Sequence, residues 1–484
     1  MEADDNHGQH LDDVDDESHA FIDPTDGVEA AVLEATEGLD DYENGMDDGE
    51  PDEGDEGDDQ MDDASRLSAA LPALPDTSLL TISSHTKEVF AVAFAPTDPR
   101  LIVTGGCDDK AFVHRLVERP SDGPSAPSKW AAEQVCCLEG HTDSVVSVAF
   151  GFDGNYAATG GYDGIVKVWA MQRDGEEPAW SLLHSLEGPS EEVEWVAWHP
   201  KGHALLAGSR DCTAWLWWAP TGKVMQIFAG QHGGAVSCGA FGMAGKLICT
   251  GSEDGSAAVW SPKGGEALHF LRRAEERSEG SGTSTEAFHT DAVVAIATHQ
   301  SLPLMATGSA DMTCKVVHLE SGRVLATLGG HRGSVEGLAF GCWDAQPTLL
   351  ATGGLDGKIQ VWDLSRYECR CTMAHTHISG AEDTSNQQEQ EEQQREQDSD
   401  ISGIVRLKWC PDGRPLLVSC STDATIRLWD GRTSQCERLL TGHSNAVLDM
   451  DLRVGTGDGG SCLWVASGSD DHTCKLWRVE LPSV

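Results

Sequence analysis

From about residue 80 the chain is written in short apolar runs broken by tight polar turns. In "SVVSVAF" (144–150) and "SVEGLAF" (334–340), apolar side chains alternate with small or polar ones, the spacing of a strand with one buried face. A second kind of segment follows each such run, and "ATGGYDGIVKVW" (158–169) and "ATGGLDGKIQVW" (351–362) are near twins of it. Small residues lead into a Gly/Asp turn, and a β-branched run ending in tryptophan leaves it. The pattern recurs as "VTGGCDDKAFVH" (103–114), "LAGSRDCTAWLW" (206–217), "CTGSEDGSAAVW" (249–260), "ATGSADMTCKVV" (306–317), "VSCSTDATIRLW" (418–429) and "ASGSDDHTCKLW" (466–477). With the twins that makes eight copies. Short strands, tight turns and a period of roughly 40–60 residues predict an all-β fold, an eight-bladed propeller of four-stranded blades.

The twins also raise a chemical question. Each holds a threonine and an aspartate four residues apart, with a histidine upstream at His141 or His331. Those are the ingredients of a hydrolytic triad. Gly-His at the head of a unit (140–141, 330–331, 442–443) and "KVW", "RLWD" or "KLW" at its end resemble the WD-repeat family. The resemblance covers about 78–484. It implies that the aspartate lies in the turn between the second and third strands of a blade, in a buried network with the histidine, the hydroxyl and the tryptophan. The second unit has the complete set as His141, Thr159, Asp163 and Trp169, and the fourth as His232, Thr250, Asp254 and Trp260. The sixth has His331, Thr352, Asp356 and Trp362; the eighth has His443, Ser467, Asp471 and Trp477. An enzyme needs one activated nucleophile, not equivalent copies around a ring, so these sets are assigned to the fold and no catalytic residue is expected.

Charge changes the picture. The chain carries 80 acidic and 33 basic residues, a formal net of −47. Residues 1–63 hold 27 of the acids and no Lys or Arg, with sparse apolar residues, so they predict an acidic disordered tail joined by a linker, 64–77, to the propeller at 78–484. Such a chain repels nucleic acid and anionic membranes, and a basic protein is the expected partner. The start "MEADDNHGQH" lacks a signal-peptide pattern, and no window holds the ~18 continuous apolar residues of a membrane helix. Fifteen cysteines without a CxxC pair predict neither a disulfide framework nor a metal site, and no cofactor. A cytoplasmic monomer, with nuclear access open, is the expectation.

The last copy ends at its third strand, so "SLLTIS" (78–83) is expected to supply the fourth strand of the last blade and close the ring. In that geometry the histidine connection and the aspartate turn share one rim, the top. Positions three and five residues after the histidine, and one before the aspartate, face it. They give Glu88, Phe90, Tyr162, Glu192, Glu194, Glu253, Glu336 and Asp470 as candidate partner-binding residues, with Arg210 the one cation among them. Clustered carboxylates beside two aromatics suit a Lys/Arg-rich peptide. Insertions at 273–287 and 376–402, the second acidic and read as disordered, should emerge on the same rim, whereas 119–130 reads as a linker on the bottom. The third unit departs most, with Gly188-Pro189 for Gly-His and Ala207 at the hydroxyl position; its extra tryptophan, Trp218, is expected at an exposed strand end.

These departures narrow the resemblance. The acidic start, "VTGGCDDKAFVHRL" (103–116) and "EVEWVAWHPKGHALLAG" (192–208) resemble the angio-associated migratory cell protein family and its fungal relatives. The resemblance implies a dedicated chaperone that holds the basic end of a newly made large-subunit ribosomal protein on an acidic propeller face. A signalling or migration scaffold, and an acidic histone chaperone, remain as alternatives.

Overall fold

The computed structural model describes residues 74–119, 129–172, 179–272, 288–341, 348–375, 402–457 and 460–481. The expected tail at 1–63, the linker up to 73, the insertions 273–287 and 376–401 and most of 119–130 lie outside them.

Eight four-stranded antiparallel sheets make an eight-bladed propeller. Seven use consecutive strands; the first has Val89–Phe94, Leu101–Gly106, Ala111–Arg119 and Lys129–Leu138. The eighth takes Val447–Gly457, Gly460–Ser469 and Cys474–Glu480 from the far end of the chain and Leu80–Ile82 from before the first blade. Leu80 pairs with Leu476 and Ile82 with Cys474. First strands stand side by side around the centre, and Val447–Gly457 packs beside Val89–Phe94 to complete the ring. Helix is confined, among the described residues, to a 3₁₀ turn at Met243–Gly245.

Second strands such as Leu101–Gly106 and Leu349–Gly354 are buried along their whole length. Their small residues allow this. A Cβ on Gly105 would lie 2.8 Å from the side chains of Val145 and Val148 in the next blade, too close for any other residue. Apolar clusters therefore form between blades: Val103 and Val113 of the first pack with Val145, Val148 and Trp169 of the second. Trp218, expected at an exposed strand end, is half-buried instead, its ring edge-on to His203 at 6.0 Å.

One irregularity recurs. In seven first strands the pairing with the second strand skips the second residue: Phe90, Val146, Glu194, Val294, Glu336, Val405 and Leu448. Only in the fourth blade does the register run on unbroken. A bulge leaves that residue out of the ladder and re-aims its side chain. Three of the eight rim candidates, Phe90, Glu194 and Glu336, occupy it.

Candidate functional site: the acidic rim

The repeated polar sets come first, because they decide whether the site is chemical or adhesive. In the second blade Trp169 Nε1 donates to Thr159 Oγ1 (3.1 Å), which meets His141 Nε2 (2.8 Å), whose Nδ1 meets Asp163 (2.9 Å). An indole N–H can only donate and a carboxylate only accept, so Trp169 donates to Thr159 and His141 Nδ1–H donates to Asp163, with the Thr159 hydroxyl against the second imidazole nitrogen. The Asp163 carboxylate also takes the backbone N–H groups of Thr142 (3.0 Å) and Ile165 (3.1 Å), which fixes the turn. Burial works to raise its pKa, but the bonds from His141 and Thr142 outweigh burial and hold it below the usual range. The sixth blade repeats this through Trp362, Thr352, His331 and Asp356.

Other blades vary the theme. In the fourth, His232 Nδ1 meets Ser256 Oγ (2.7 Å) rather than Asp254, whose carboxylate takes the Gly233 and Ser256 backbone N–H groups. In the eighth, His443 joins Ser467 (2.7 Å) and Asp471 (2.8 Å), while Trp477 donates across to Thr77 Oγ1 (3.3 Å), ahead of the ring-closing strand. The seventh blade holds a set that sequence reading missed: His375 meets Ser419 (2.6 Å), Trp429 donates to Ser419 (2.8 Å), and Asp423 lies 3.5 Å from His375. Its histidine follows alanine, and the insertion separates it from the rest of its unit. His85 and His289 complete partial sets with Thr104 and Asp108, and with Thr307 and Asp311. The hydroxyls that meet histidine Nε2, those of Thr104, Thr159, Thr250, Thr307, Thr352, Ser419 and Ser467, all belong to fully buried residues. In the third blade Trp215 Nε1 bonds Thr213 (2.8 Å) and its ring packs over Gly188.

The rim candidates fall into three places. Tyr162, Glu192, Glu194 and Glu253 gather around Arg210 between the second, third and fourth blades. There a recess of about 560 Å³ is lined by Tyr162, Pro189, Ser190, Glu191, Glu192 and Arg210. Burial raises the Glu194 carboxyl above the usual range; Arg210 opposes this, and Glu253 and Glu192 add to it. Glu88 and Asp470 form a second group across the eighth and first blades, with His472 Nε2 3.6 Å from Glu88. Burial, then Glu88, pushes Asp470 up. Glu336 stands apart, holding Ser334 Oγ at 2.7 Å and sharing its surroundings with Arg406 and Cys238. Phe90 is half-buried at its bulge, and Tyr162 is 38% exposed.

Within the ring lies a charge ladder that sequence reading missed. Lys408 Nζ meets Asp451 Oδ1 at 2.7 Å, and Arg406 Nε lies 3.5 Å from Asp449 Oδ1. The second oxygens accept the backbone N–H groups of Phe94 (2.8 Å) and Val92 (3.0 Å). Two carboxylates thus tie the seventh, eighth and first blades together. The signal was "RLK" (406–408) facing "DMD" (449–451), charges at alternate positions of first strands where small or apolar residues prevail. At the joint of the second and third blades an uncharged group does the same: Ser147 Oγ accepts the Val196 N–H (3.1 Å).

Comparison with known proteins places these features. The family model described as "WD domain, G-beta repeat" matches residues 76–114, 132–170, 180–217, 222–261, 283–318, 322–363, 393–430 and 434–478. The angio-associated migratory cell protein of Homo sapiens is 33% identical over 426 residues, 84% of this chain and 81% of that one. Among solved structures, Sqt1 of Saccharomyces cerevisiae superposes with a TM-score of 0.67 at 19% identity, covering 84% of this chain and all of that one. Sqt1 of Chaetomium thermophilum bound to the N-terminus of the ribosomal protein L10 gives 0.63 at 23% identity, again over 84% and 100%. These two show a shared fold.

Proposed function

Because the chain belongs to the WD-domain, G-beta repeat family, and within it to the group of the angio-associated migratory cell protein, we propose that it is a non-enzymatic chaperone for a basic protein segment. Its client on this reading is a newly made large-subunit ribosomal protein, held during ribosome assembly in the cytoplasm or nucleus. The observation that carries the reading is the crowding of carboxyls on the top rim. Glu194 and Asp470 are both held above the ordinary carboxylate range, by burial first and then by acidic neighbours. Glu191 and Glu192 line the recess with one cation, Arg210, which also acts on Glu194 beside Glu253. A Lys or Arg side chain arriving there supplies the missing positive charge, and its stem can lie against Tyr162. A solved neighbour of the same fold holds the N-terminus of a ribosomal protein, which agrees with a client of that kind.

The test is capture of the tagged full chain from cells in active translation, with the dominant partner identified. A basic large-subunit ribosomal protein, released by puromycin, is the expected result. A histone as dominant partner would transfer the same charge logic to a different client. A partner bound through apolar contacts and insensitive to salt would overturn the reading in favour of a scaffold.

A further inference from the structure

Each blade presents the residue just ahead of its aspartate at the same place on the top rim. In all eight blades, from Cys107 in the first to Asp470 in the eighth, the backbone N–H of that residue donates to a carbonyl at the head of the first strand, at 2.8–3.1 Å. Seven of these residues are neutral or acidic; Arg210, in the third blade, is the one cation.

The backbone of Arg210 is firmly placed. Its N–H donates to the Glu192 carbonyl at 2.9 Å, and neighbouring Asp211 accepts the backbone N–H groups of Ser190 (2.8 Å) and Thr213 (3.0 Å). Its side chain is not tied down. Arg210 is exposed, and among the described residues its guanidinium has neither a hydrogen bond nor an ion pair. Other cations close on a carboxylate: Lys408 on Asp451 at 2.7 Å, Lys475 on Asp76 at 2.8 Å and Lys110 on Glu139 at 2.9 Å. A guanidinium that braced the rim would do the same. Arg210 instead acts on Glu194 and Tyr162 through space, working on Glu194 against burial, Glu253 and Glu192. For a Lys or Arg side chain arriving from outside, it has two effects. It repels that side chain directly, and it takes up part of the field of the surrounding carboxylates.

We infer that Arg210 is a resident competitor of the client: it repels the cationic side chain that enters the recess and so keeps the complex loose enough to be undone. The inference rests on the acidic rim as the client's seat. A chaperone must give its client up as well as hold it, and one uncommitted cation among carboxylates sets that balance without touching the fold.

The test is titration of the full chain with the basic N-terminal peptide of a large-subunit ribosomal protein, at low and high salt, for wild type and three variants. Arg210→Met should bind about five- to tenfold more tightly at low salt, and the gain should shrink as salt screens the repulsion. Arg210→Lys, which restores the charge, should undo the gain. Lys223→Met makes the same change in net charge on the exposed outer strand of the same blade and should leave affinity where it was. Melting temperatures matching the wild type show that all three are folded. Weaker or equal binding by Arg210→Met overturns the inference, and so does an equal gain from Lys223→Met. If neither wild type nor Arg210→Met binds the peptide, the rim itself is not the client's seat and the inference falls with it.

Discussion

Thr159 serves two partners at once, accepting from Trp169 Nε1 and bonding His141 Nε2, so removing its hydroxyl orphans two buried polar atoms. Thr159→Ala should lower unfolding stability by about 1–3 kcal/mol in urea titrations, and Thr159→Ser by much less. Equal losses would mean the methyl group, not the hydroxyl, carries the effect. The histidines add a pH signature. Burial holds His232 and His114 at about 4, whereas in the unfolded chain they titrate near 6.5. The unfolded state therefore binds more protons between those values, so this contribution is complete above about 6.5 and is lost as pH falls toward about 4. Asp163 and Asp356, held below the usual range, lose theirs at still lower pH. Urea unfolding at stepped pH should show stability falling from near 6.5 downward; a flat profile between 6.5 and 5 would contradict the neutral, buried imidazoles. Most of these sets were legible because each keeps its spacing within one unit. His375 was not, because the long insertion hides its spacing, and Ser256 in the fourth blade was not, because a serine two residues past the aspartate has no fixed role in the repeat.

Among the elements, the closing strand and the first-strand bulges behave differently toward sequence reading. Leu80–Ile82 could be inferred from a missing fourth strand at the far end of the chain. Bulges could not, since no local residue pattern marks a skipped pair, and yet they aim Phe90, Glu194 and Glu336. The joint the closing strand seals is also held from inside by Asp449 and Asp451. Asp451→Ala removes the acceptor of the Phe94 N–H and the partner of Lys408, which is partly open to the channel and so loses less than a buried ion would. A loss of about 1–3 kcal/mol is expected, recovered in part by Asp451→Asn, which keeps an acceptor. Truncation through residue 83 should lower the melting temperature sharply, because the last blade loses its outer strand, whereas truncation of 1–63 should leave it in place. Matching melting temperatures for the two truncations would contradict closure by this strand.

At the scale of the whole molecule, charge and shape divide the work. Composition alone announced an acidic protein, for which a basic partner is the expectation, and the repeat announced a ring; neither could say which carboxylates meet. The fold brings Glu192, Glu194 and Glu253 around Arg210, sets Glu88 beside Asp470, and leaves Glu336 apart near Arg406. Glu194 and Asp470 are raised acids, so they ionise fully only as pH climbs past the ordinary carboxylate range, and affinity for a cationic peptide should climb with it. The most direct measurement is titration of the full chain with the basic N-terminal peptide of a large-subunit ribosomal protein, at rising salt, beside the variant Glu192→Lys/Glu194→Lys/Glu336→Lys. Wild-type affinity should fall steeply with ionic strength, by about tenfold or more between low and physiological salt, and the folded variant should not bind. Binding that ignores salt and survives the triple reversal would contradict an acidic rim as the client's seat.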